Sequence, residues 1–184
     1  HRGEHAVRFG LGRVIRRAQC FGFHLAALDL RQDSAIHDAA LSELLSKADF
    51  AQKTPEQRAP ILHGLIRDGL NISEESDTTK PVLDVFRALR DGRERFGAHA
   101  FGPYIVSMSR SAADALAVLA LARIAGFSDN KNNIALDVAP LFETVADLEA
   151  AENSLRSLFA DPIYREHLKQ RGQKQMVMLG YSDS

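Results

Sequence analysis

Four times along the chain an apolar, strand-like stretch runs into a tight group of polar residues, and after the first three a helical stretch follows. The first is "FHLAALDLRQDS", where Leu28 and Leu30 alternate with Ala27 and Asp29 and the run closes on Arg31, Gln32, Asp33 and Ser34. Behind it, "AIHDAALSELLSKA" sets Ile36, Ala40, Leu41 and Leu44 on one helical face. The second, "YIVSMSRS" (104–111), leads into "AADALAVLALARIAG", with Ser111 as N-cap and Gly126 as the stop. The third, "IALDVAPLFET" (134–144), precedes the helical "VADLEAAENSLRSLF", and the fourth is the closing "QMVMLGYSDS". Strands that alternate with helices call for a parallel sheet covered by helices, because parallel neighbours need a long crossover between them.

Between the first two strands lies a longer stretch, residues 48–100, which reads as a helical insertion within a single unit of 1–184. "TPEQRAPILHGLI" has Thr54 as N-cap, Pro55 at the first helical position and Gln57 three residues after the cap. "KPVLDVFRALRDGRERFG" carries Val82, Val85, Phe86 and Leu89 on one stripe, and the polar "NISEESDTTK" between them reads as a surface loop. Two architectures accommodate four such units: an open doubly wound sheet, or part of a (β/α)8 TIM-type barrel. Phosphate-loop and dinucleotide signatures are absent, and the lone "GLG" at Gly10–Gly12 does not follow a strand. The polar groups fall at the C-terminal ends of successive strands, where barrel enzymes build their sites. The expected fold is therefore α/β, a partial barrel of about four βα units, helix-rich overall.

Composition narrows the function. A formal net charge of −1 gives no electrostatic case for nucleic acid or an anionic membrane surface. The arginines Arg8, Arg13, Arg16 and Arg17 are spaced to lie on a solvated helical face. The single cysteine, Cys20, excludes an internal disulfide, suits a reducing cytoplasm, and is expected to be a buried apolar residue. No run is long enough to span a bilayer. His24 reads as a packed strand residue, and the remaining histidines match no zinc spacing; "HRGEH" only superficially looks like a zincin helix. There is no G-x-S-x-G elbow.

The strand ends carry the chemistry. On the barrel reading Arg31, Ser109 or Arg110, Glu143 and Asp183 converge on one mouth. Two carboxylates on neighbouring strand ends, Glu143 and Asp183, suit a hard divalent cation such as Mg2+ or Mn2+, which prefers oxygen ligands. Arg31 beside them complements an anionic substrate, since its planar fork pairs bidentately with phosphate or carboxylate. The residues thus point to a metal-assisted reaction of a small phosphorylated or carboxylated anion.

Taken together, "LDLRQDSAIH", "YIVSMSRSAADALAVLAL", "VAPLFETVADLEAA" and "QKQMVMLGYSDS" resemble phosphoenolpyruvate carboxylase, in order and spacing, across Phe21 to Ser184. The resemblance implies a lyase that joins phosphoenolpyruvate and bicarbonate to give oxaloacetate and phosphate, by way of carboxyphosphate and the enolate of pyruvate, with Mg2+ or Mn2+. It assigns the metal carboxylates to Glu143 and Asp183 and the substrate-facing catalytic arginine to Arg31. It further implies a cytoplasmic homo-oligomer, usually a tetramer. The family's T-A-H-P-T segment, which supplies a catalytic histidine, does not occur in this sequence, and "KQRGQKQ" is a few residues longer than the family pattern. The expectation is an internal fragment of the catalytic barrel, inactive in isolation. Two alternatives stand beside it: another metal-dependent barrel enzyme acting on phosphoenolpyruvate or pyruvate, and a non-catalytic half-barrel that self-associates.

Overall fold

The computed structural model of the chain describes residues 3, 7–22, 26–47 and 49–180. Strands β1 (Leu28–Asp33), β2 (Phe101–Ser107), β3 (Val138–Phe142) and β4 (Met178–Leu179) form a parallel sheet in the order β1-β2-β3-β4. Each strand adds to the same edge as the one before. A doubly wound sheet reverses direction at a switch point, and among these strands there is no reversal.

The helices are α1 (Gly12–Phe21), α2 (Ser34–Leu44), α3 (Pro55–Asp68), α4 (Thr79–Phe96), α5 (Ala112–Ile124), α6 (Val145–Ala160) and α7 (Pro162–Gln170). Their starts are chemically marked. At α3 the Thr54 hydroxyl accepts from the Gln57 N–H while the Gln57 side chain accepts from the Thr54 N–H, a reciprocal box that satisfies two orphan donors. Asp147 and Thr144 do the same for α6. Asp161 caps α7 by accepting from Ile163 and Tyr164, with Pro162 following.

Helix α5 is apolar on all sides, which is the pattern of a helix buried on all sides. Every residue from Ala113 to Ala122 is buried, with α3 packed on it. Leu30, Tyr104, Val106 and Val138 point from the sheet into this helical core. Ile105, Ala139 and Leu141, joined by Met178, form a second, smaller cluster on the other face. A register shift between Leu28 and Leu30 marks the start of the β1–β2 ladder, where a Cβ on Gly102 would lie 1.9 Å from Asp29 Oδ1; only glycine leaves room for that carboxylate.

Several readings change. Cys20 is exposed rather than buried, because α1 buries none of its residues; Val14 and Ile15 are as open as Arg13, Arg16 and Arg17. The second strand starts earlier than read, at Phe101, and ends at Ser107, because Met108 adopts φ 53 and turns the chain. The fourth strand is two residues long. Helix α7 is additional to the sequence reading. His24 and Asp183 lie outside the described residues. No helix among the described residues is long and apolar enough to cross a membrane.

Candidate active site

Side-chain parity decides which polar groups can meet. Successive strand side chains alternate between faces, so Arg31, in register with Ile105 and through it with Ala139, lies on the face of the smaller cluster. The same alternation from Ala139 through Leu141 carries Glu143 to that face. Two inter-strand spacings, about 9–10 Å, separate β1 from β3, and the long arginine side chain spans them. Arg31 Nη2 donates to Glu143 Oε1, joining residues 112 positions apart. The arginine side chain is 49% exposed and the glutamate 12%. The carboxylate is sheltered, and the guanidinium keeps a face toward solvent.

The other oxygen of Glu143 is held from the end of β2. The Met108 N–H donates to Oε2 at 3.1 Å, and Met108 does so from the left-handed region, at φ 53, which L-residues disfavour. Its carbonyl in turn accepts from the Ser34 hydroxyl at 2.9 Å. Ser34 is buried at the first turn of α2, whose N-cap is Asp33. Of the groups read at the end of β2, Ser109 gives its N–H to Leu141 and Arg110 gives its N–H to Asp114. It is the Met108 backbone that reaches Glu143. Nothing in the sequence singles out Met108, since methionine carries no turn signal.

Past β4 the chain passes close to the same carboxylate. The Gly180 N–H donates to Phe142 O at 2.8 Å, and a Cβ on Gly180 would sit 3.0 Å from Glu143 Cα. A residue without a side chain lets the two strand ends lie side by side. Asp183 follows three positions later, outside the described residues.

Among the described residues no three His, Cys, Asp or Glu side chains are gathered as a metal cluster. Glu143 fits one ligand position. Among the described residues each of its oxygens takes one protein donor, which leaves a further lone pair on each, and an oxygen donor of this kind suits Mg2+ or Mn2+.

Beside the site, a buried ionic group ties α3 to α2 and α5. Arg58 Nη1 donates to both oxygens of Asp38, at 2.9 and 3.0 Å, and lies 3.9 Å from Asp114. Its remaining nitrogens reach the carbonyls of Ala51 and Lys53, and its plane lies over the Phe50 ring. Burial pushes the Asp38 carboxyl up, while Arg58 pulls the other way. The sequence signal for this group was an acid within the apolar run "AIHDAAL". The same helix buries His37, which shares a 2.8 Å hydrogen bond with Tyr104.

A family model described as phosphoenolpyruvate carboxylase matches residues 1–184. Phosphoenolpyruvate carboxylase of Xanthomonas campestris pv. campestris (strain 8004) is 45% identical over 185 residues, covering 100% of this chain and 20% of the relative. The enzyme of the same name from Rhodopseudomonas palustris (strain BisA53) is 39% identical over 181 residues, covering 94% of this chain and 20% of the relative. That from Burkholderia mallei (strain SAVP1) is 38% identical over 200 residues, with 100% and 20% covered. The chain thus spans about a fifth of the length of these curated relatives, each covered to 20%.

Proposed function

The chain belongs to the phosphoenolpyruvate carboxylase family, and from that premise we propose that it carries part of the substrate and metal site of an enzyme joining phosphoenolpyruvate and bicarbonate to give oxaloacetate and phosphate. The observation that carries this reading is the Arg31–Glu143 pair. Two residues from separate family-like motifs meet across an intervening strand, at the C-terminal ends of a parallel sheet, where enzymes of this class assemble their sites.

Glu143 and Asp183 hold Mg2+ or Mn2+ in this reading. Bound there, the cation supplies Lewis-acid stabilisation of developing oxyanion charge and a template for the phosphate. Glu143 is kept in place by a donor on each oxygen, and its shelter from water strengthens its interaction with a cation. Arg31, half exposed, presents its fork to the substrate's phosphoryl oxygens and offsets their charge as the group passes to bicarbonate. The consecutive strand order supports the larger architecture, one unit of about four βα repeats from a (β/α)8 barrel, with residues 48–100 inserted. The single cysteine supports a cytoplasmic setting. The active form is a homo-oligomer, a tetramer, and the 184-residue chain alone, whose sequence has no T-A-H-P-T segment, is inactive.

The test is an assay of the complete gene product, with oxaloacetate read by coupled NADH oxidation. Turnover is expected to require both bicarbonate and Mg2+ or Mn2+, and Glu143→Gln is expected to lower kcat/KM by about a hundredfold or more, the loss of several kcal/mol of charge stabilisation. Product formation without bicarbonate, or turnover that Glu143→Gln leaves unchanged, would overturn the reading.

A further inference from the structure

We infer that Ser34 is a positioning residue for the Glu143 carboxylate, acting through the backbone of Met108. The inference rests on the reading of Glu143 as a metal ligand and adds a relay of three residues, each from a successive strand end. The Ser34 hydroxyl donates to Met108 O at 2.9 Å, and the Met108 N–H donates to Glu143 Oε2 at 3.1 Å.

Three features separate this relay from an ordinary loop contact. First, Met108 is a left-handed non-glycine residue, a conformation that persists only where its surroundings over-determine it. The residue is 38% exposed, so packing around the thioether does not explain the pose; hydrogen bonds on both of its peptide groups do. Second, Ser34 is free for the task. The Ala35 N–H at the start of α2 is already satisfied by Asp33 Oδ1 at 2.7 Å, and Ser34, at 1% exposure, turns its hydroxyl across to β2 instead. Third, Arg31 is the other donor on Glu143, and it is half exposed. Once Arg31 turns to the substrate, the Met108 N–H is the donor left on the carboxylate among the described residues. Removing the Ser34 hydroxyl leaves the Met108–Ser109 peptide held through the Ser109 N–H to Leu141 alone among the described residues, so that Met108 can leave its left-handed conformation, its N–H swings away from Oε2 and the ligand loosens.

The experiment compares Ser34→Ala, Ser34→Thr and Glu143→Gln in the complete gene product. Mn2+ affinity is read by electron paramagnetic resonance, and hydrogen exchange across Ser107–Arg110 is read without metal. Ser34→Ala is expected to weaken Mn2+ binding about tenfold, the lower end of what outer-shell changes cost, to speed exchange at Met108, and to leave the melting temperature close to that of the parent. Ser34→Thr, which keeps a hydroxyl, is expected to restore both readouts. A folded Ser34→Ala protein with parental Mn2+ affinity, or one whose weakened affinity comes without faster exchange at Met108, overturns the inference. Parental Mn2+ affinity in Glu143→Gln would instead remove the functional reading itself, and the Met108 exchange would still report whether the hydrogen-bonded relay exists.

Discussion

Burial moves the imidazoles of His37 and His167 far from solution behaviour. Both are pushed down to about 4, His37 by burial with Asp33 partly opposing, His167 by burial reinforced by Arg171. Both therefore fold neutral. The ordinary value of 6.5 applies to the unfolded chain, so their contribution to stability is fully present above that pH and is lost as pH falls toward and through 4. The loss is on the order of a few kcal/mol for each group. Asp38, raised by burial, works in the opposite direction, and Asp137, lowered by its bond to Arg171, works with the histidines. Urea midpoints are expected to drop between pH 7 and pH 4.5, and His37→Gln to flatten that slope; equal slopes in the two proteins would refute the assignment to His37. At this scale the sequence was informative about chemistry and silent about environment. Arg31 and Glu143 could be named from their motifs. That His37 is enclosed, with its Nδ1 lacking a hydrogen-bond partner among the described residues, follows from the packing of α2 against α4 and α5 and from its contact with Tyr104 of β2.

The secondary elements were the most legible part, because their signals are local. The Thr54–Gln57 box, the Ser111 N-cap position and the apolar run of α5 each rest on residues within a few turns of one another. Helix α7 carried a start signal as well, Asp161 followed by Pro162, one residue past the end of α6, but the helical reading stopped at Phe159 and assigned nothing beyond it. Asp161 does triple duty, accepting from Ile163 and Tyr164 and contacting His63 Nε2 at 2.6 Å. Asp161→Ala is expected to cost about 1–2 kcal/mol, at the upper end for a lost N-cap, and Asp161→Asn, which still caps, to cost less than half of that in the same urea titration. An alanine variant as stable as the parent would show that α7 is held by its packing alone. The opposite error occurred at "QMVMLGY", which reads as a full strand and supplies a ladder only at Met178–Leu179. Strand length is set by what the neighbour offers, and β3 offers Leu141 and Phe142 there.

For the molecule as a whole, the sheet of described residues ends in β1 on one side and β4 on the other, each with an unpaired edge that invites pairing with a second chain. The 184-residue chain on its own is expected to associate at micromolar concentration in sedimentation velocity and to form no oxaloacetate above an enzyme-free control. A monodisperse, carboxylating monomer would contradict both statements. Periodicity, caps and the polar closings of the strands were enough to establish the alternation of strand and helix, the parallel sense of the sheet and the motifs that mark Arg31 and Glu143. All of these depend on neighbours within a turn or a strand. The consecutive strand order, the meeting of Arg31 with Glu143 across β2, the burial of Arg58 between Asp38 and Asp114, and the left-handed Met108 that holds a carboxylate by its N–H were settled in three dimensions. Each needs a register and a crossover to bring distant residues within hydrogen-bonding reach, and those are set by the packing of whole elements rather than by any stretch of chain.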